Sequence, residues 1–94
     1  MSQMISSMIE NKLNLEIEEE PNQFVYYIST GDKCYVLRWP KRYMNDEVIA
    51  RQLTDIMTVE EFGWDYYYEL KEIIGKLLSI AYRKNNLNKD FCQQ

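Results

Sequence analysis

The chain has 94 residues, 46% of them hydrophobic, and carries 15 acidic against 11 basic side chains for a net charge of −4. That length holds one domain with a modest core, burying about 60–65% of the extended surface, and the apolar content argues against wholesale disorder. An acidic balance disfavours a general nucleic-acid binder, because phosphate needs surplus Lys and Arg. The absence of histidine removes Ser-His and Cys-His nucleophile pairs, the usual base near neutral pH and nearly all zinc sites.

The N-terminal residues Met1–Glu10 have neither a basic start nor a continuous apolar stretch. No segment approaches the roughly 20 apolar residues of a membrane span. The expectation is a soluble, cytoplasmic chain with no disulfide between Cys34 and Cys92. Cys34 is expected to be buried in its apolar run, and Cys92 to lie in a polar tail.

Met4, Ile5, Met8 and Ile9 recur at helical spacing and predict a short first helix. Leu13, Leu15 and Ile17 then alternate with Asn14, Glu16 and Glu18, the pattern of a strand with one wet face. Glu20-Pro21-Asn22 ends it. Residues 24–28 and 34–39 are dense in β-formers on either side of a turn over 29–33 containing Gly31, which predicts a hairpin. Pro40 closes its second strand, with Trp39 expected in the core.

Asn45, followed by Asp46 and Glu47, reads as a helix start, since a capping side chain and first-turn acids both suit the helix dipole. Ile49, Leu53, Ile56 and Met57 supply the buried stripe. The run Thr58-Val59-Glu60-Glu61 matches a capping box and predicts a fresh helical start. From Tyr66 to Lys84, a wide apolar stripe of Tyr67, Leu70, Ile73, Ile74, Leu77, Leu78 and Ala81 predicts the longest helix, with basic residues at its C-terminal end. Residues 85–94 read as a frayed tail. The expected fold is a single α+β domain over 1–94, a three-stranded antiparallel sheet packed on helices in the order α-β-β-β-α-α.

Two signals bear on function. Charge is segregated: from Asp46 to Glu72 eight acids face only Arg51 and Lys71, whereas Lys33, Arg38, Lys41 and Arg42 cluster around the hairpin. Asp65, Glu69 and Glu72 fall at i, i+4 and i+7. On a helix they would form a row with spacings of about 5–6 Å, close to that of successive phosphates. Phe62, Trp64, Tyr66, Tyr67 and Tyr68 lie within seven residues. Either some of these rings are exposed as interface anchors, or Phe62, Trp64 and Tyr67 cap the core. The candidate partner-binding residues are therefore Glu60, Glu61, Trp64, Asp65, Tyr66, Tyr68, Glu69 and Glu72. No catalytic, cofactor-binding or metal-binding residue is expected. The aromatic and basic Trp39-Pro40-Lys41-Arg42-Tyr43 stretch is an alternative contact surface.

The α-β-β-β-α order resembles that of the double-stranded-RNA-binding domain. That family opens its second long helix with lysines, where this chain has Asn45-Asp46-Glu47-Val48, so the resemblance implies a shared layout without RNA binding. Size, layout and the Gly63-Trp64 pair followed by Asp65, Tyr66, Tyr67, Tyr68 and Glu69 resemble small acidic phage-encoded anti-CRISPR proteins, which inhibit the type II RNA-guided DNA nuclease. The likeness spans roughly Met4 to Glu72 in layout; a continuous acidic run is missing here and the basic helix end is longer. It implies a non-catalytic phage or mobile-element inhibitor that imitates DNA on a host nucleic-acid-processing protein, without binding nucleic acid itself. The alternatives are an immunity protein or antitoxin for a basic toxin, and an assembly protein that self-associates through its apolar helix stripe.

Overall fold

The computed structural model describes residues 11–31 and 33–84. Strands β1 (Leu13–Glu19), β2 (Gln23–Thr30) and β3 (Lys33–Pro40) form an antiparallel sheet in the order β1-β2-β3. Helices α1 (Asp46–Met57) and α2 (Tyr67–Lys84) follow, joined through a π-turn at Thr58–Phe62 and a 3-10 turn at Trp64–Tyr66. The α+β class and the β-β-β-α-α order match the sequence reading. The first helix expected around Met4–Ile9 and the tail at 85–94 lie outside the described residues.

Register decides which side chains meet. Ile17, Tyr26 and Leu37 stand opposite one another across the sheet, as do Leu15, Ile28 and Tyr35, and this face carries the core. The hairpin is tighter than its composition suggests. Thr30 pairs with Lys33, leaving two residues for the turn, and Gly31 supplies the positive φ of 57° that such turns need.

The opposite face of the sheet holds Glu16, Glu18, Tyr27, Val36, Arg38 and Cys34. Cys34 is exposed, not buried. It pairs with Ser29 and shares the parity of Val36 and Arg38, so the pleat turns it outward despite its apolar neighbours. Val25 is the exception on this face, only 1% exposed. Its cross-strand neighbours are Glu18 and Arg38, whose aliphatic stems can flank it.

Both helices cover the core face. The Asn45 side chain caps α1 by accepting from the N–H groups of Glu47 and Val48 at 3.0 and 3.2 Å, as its sequence position predicts. From α1, Ile49, Ala50, Leu53, Thr54 and Met57 are buried, with Ile56 only partly so. From α2, Leu70, Ile73, Ile74, Leu78, Ala81 and Tyr82 are buried. Tyr82 is absent from the predicted stripe, while Tyr67 and Leu77 are half-buried at its margins. Trp39 is also half-buried, packed against the core with its indole N–H donating to the Tyr43 carbonyl at 2.8 Å. Tyr67 lies beside Asp55 while Ala50 and Asp46 lie beside Leu78, so the helices run antiparallel. No described helix is long and apolar enough to cross a membrane.

Candidate partner-binding site

The junction between the helices builds the site. Thr58 does not open a new helix: it lies on the continuing helical path at the end of α1, where its N–H donates back to Asp55 and Thr54. Its buried hydroxyl finds no partner, so the capping box expected at Thr58–Glu61 does not form. The chain instead widens into the π-turn, closed by the Gly63 N–H donating to the Thr58 carbonyl at 2.8 Å. Gly63 then adopts φ 81° and ψ 168°, a region essentially closed to residues with a Cβ. That conformation breaks the helical path and swings Trp64 out to 65% exposure.

Three rings form a chain of contacts beyond the break. Trp64 stacks on Tyr67 with centroids 5.6 Å apart and planes 24° from parallel. Tyr67 meets Tyr68 edge-on, also at 5.6 Å. Tyr67 is the anchored member: burial, and then Asp55 beside it on α1, push its phenol above the ordinary tyrosine value. Tyr68 is 79% exposed and Tyr66 stands at the margin of exposure. Of the core-capping alternative, only Phe62 packs against the core, and it does so partly.

Across residues 58–72, five carboxylates face one cation, Lys71, and they hold different positions. Glu60 and Asp65 are exposed at the tip. Glu61 accepts from the Tyr35 hydroxyl at 2.7 Å, which ties the π-turn to β3; this bond raises the Tyr35 phenol to about 12. Asp65 belongs to the 3-10 turn, two residues before α2 begins at Tyr67. The expected row of Asp65, Glu69 and Glu72 on a single α-helix is therefore broken at its first member. Glu69 is half-buried and Glu72 exposed. Glu72 and Tyr68 line a groove against α1 together with Glu47 and Gly75. The sequence reading placed Asp46 and Glu47 at a helix start and in the acidic run; their role as a groove wall depends on the antiparallel pairing of the helices.

The basic stretch around the hairpin does not gather into one patch. Lys33 and Arg38 point to opposite faces of β3 by parity. Lys41 pairs with Glu19 at 2.7 Å and sits over the Phe24 ring, and Arg42 lies over Tyr43. Among the described residues no group of three or more His, Cys, Asp or Glu side chains is placed to hold a metal ion. What the tip and groove offer chemically is a negative field around exposed aromatic faces, suited to holding cationic and apolar groups. No protein-family model matches the chain, and no curated protein or solved structure is significantly similar to it.

Proposed function

We propose that this chain is a non-catalytic binding protein whose Glu60–Glu72 surface covers the basic, nucleic-acid-binding face of a host nuclease, as DNA-mimicking inhibitors of the anti-CRISPR type do. The observation that carries the reading is the exposed Trp64–Tyr67–Tyr68 ring chain inside a surface with five acids to one base. A tryptophan held 65% exposed by a glycine-only backbone turn does little for the core. It supplies instead a rigid anchor of the kind that dominates binding energy at interfaces. Acids around it steer the surface toward Lys- and Arg-lined grooves, using the field that draws in phosphates. On this reading the protein acts in the bacterial cytoplasm, where such nucleases work. The assembly reading has little surface in the apolar stripe of α2: Leu70, Ile73, Ile74, Leu78 and Ala81 lie in the core, which leaves the half-buried Tyr67 and Leu77.

The test is binding of the purified chain to a type II RNA-guided nuclease, with double-stranded DNA as competitor. The proposal expects binding that DNA displaces, lost in Asp65→Lys/Glu69→Lys/Glu72→Lys and in Trp64→Ala while the helical circular-dichroism signal persists. Unchanged affinity in those variants would sink it. Binding that DNA does not displace would move the reading to an inhibitor acting at a different surface, and no binding would move it to an immunity protein or antitoxin.

A further inference from the structure

We infer that the groove between α1 and α2 receives an arginine side chain; this rests on the reading above, since it names the group a basic partner would insert. The groove has a volume of about 420 Å³. Its floor is apolar and low, made by Ala50 from α1 and by Leu78 from α2, with Gly75 at the rim. Glu47 and Glu72 stand on the two sides, one from each helix, and the exposed Tyr68 ring stands at the lip. The ring chain running from Trp64 through Tyr67 ends at Tyr68, so the groove continues the tip surface.

Gly75 is the informative residue. It sits inside an 18-residue helix, where glycine costs about 1 kcal/mol relative to alanine. Nothing in the fold requires it: a Cβ built there meets no atom within 4 Å, and Gly75 is not among the residues with positive φ. Gly75 forms the shared rim of this groove and of the depression bounded by Lys76, Ile80 and Arg83, so a large side chain at 75 narrows the groove.

The lining fits guanidinium better than ammonium. An apolar floor accommodates three methylenes, and carboxylates on both sides can each accept from a planar fork of N–H donors. A tyrosine face at the lip suits a delocalised, weakly hydrated cation. Lys71 also lines the groove and is the cation that an incoming arginine must tolerate.

The experiment is a nuclear magnetic resonance titration of the full chain with two blocked tripeptides, one with a central arginine and one with a central lysine. The expected result is saturable shifts at Ala50, Glu72, Gly75 and Ser79. The lysine peptide should be weaker by about two- to fivefold, because its compact, strongly hydrated ammonium offers neither the planar fork for both carboxylates nor a stacking face for Tyr68. Gly75→Leu narrows the groove while improving helix propensity, so it should abolish the shifts without lowering the melting temperature. Lys71→Gln should tighten binding. Shifts spread over all the acids, equal affinity for the lysine peptide, or unchanged binding by Gly75→Leu would each overturn the proposal. The peptides report on the groove whether or not a nuclease binds. Peptide binding without nuclease binding removes the functional reading alone, and the reverse removes the groove alone.

Discussion

The phenolic oxygens of Tyr26 and Tyr82 lie 2.5 Å apart in the core, joining the middle strand to the C-terminal end of α2 across 56 residues of chain. Their rings meet edge-on at 6.4 Å, and Phe24 packs edge-on against both. Two hydroxyls amid these rings are tolerable because they bond to each other, with Asp46 beside Tyr82; a buried polar group left alone costs the full desolvation penalty.

Removing one hydroxyl should therefore cost more than its own bond. Tyr82→Phe leaves the Tyr26 hydroxyl without this partner and is expected to destabilise by about 1–3 kcal/mol. The double variant Tyr26→Phe/Tyr82→Phe should lose less than the sum of the singles, because both polar groups leave together. Urea unfolding of the three variants measures the coupling, and strict additivity would show that the pair is energetically independent.

The same pair adds to the alkaline sensitivity of the fold, beside Tyr35 with its bond to Glu61. Burial raises Tyr26 from 10.0 to about 12, with the bond to Tyr82 partly opposing it; burial, then the bond to Tyr26, raises Tyr82 further still. Both are groups whose folded value lies above the unfolded one, so the folded state holds their protons more tightly. Their contribution is fully present below pH 10.0 and is lost as pH rises toward and through about 12. Urea midpoints should fall across that window. The double phenylalanine variant should show a shallower decline; an identical slope would place the alkaline sensitivity elsewhere.

Gly63 and Gly75 should respond to alanine with opposite sign. At Gly63 the φ of 81° and ψ of 168° exclude a Cβ at a cost of about 1–3 kcal/mol. At Gly75 the helix gains about 1 kcal/mol and nothing is within 4 Å of the new methyl. Thermal unfolding should show Gly63→Ala melting below the parent chain and Gly75→Ala above it. Two shifts of the same sign would contradict one of the two backbone assignments.

Thr54 and Thr58 form a second contrasting pair. Both are buried, but the Thr54 hydroxyl donates to the Ala50 carbonyl at 2.6 Å, whereas the Thr58 hydroxyl has no partner. Thr58→Val removes an unsatisfied group of similar shape and should stabilise by about 1 kcal/mol, while Thr54→Val should destabilise by about the same amount. Chemical denaturation of the two variants separates them, and a loss of stability in Thr58→Val would mean that its hydroxyl is bonded.

Much of the framework was legible in the chain because its signals are local. The alternation of Leu13, Leu15 and Ile17 put those residues inward, and Asn45 caps α1 as its neighbours imply. The outward turn of Cys34 was also readable: it shares the parity of Arg38, a charged residue that cannot face the core alone. The apolar content of residues 34–39 outweighed that parity in the sequence reading. Tyr82 was missed because it flanks the apolar stripe with a polar tip, and that tip is received by groups distant in sequence, Tyr26 across the core and Asp46 at the start of α1.

The sequence by itself determined the α+β class, the pairing of the hairpin, the cap of α1 and the acidic, aromatic character of residues 60–72, since each depends on residues a few positions apart. The tertiary structure decided which of those acids and rings are available. Glu61 is fastened to Tyr35, Asp65 sits off the α2 helix because Gly63 breaks the path before it, and Tyr68 and Glu72 face Glu47 across a groove. Those outcomes require segments distant in sequence to meet, and contacts of that kind follow from strand register and helix packing, not from local propensity.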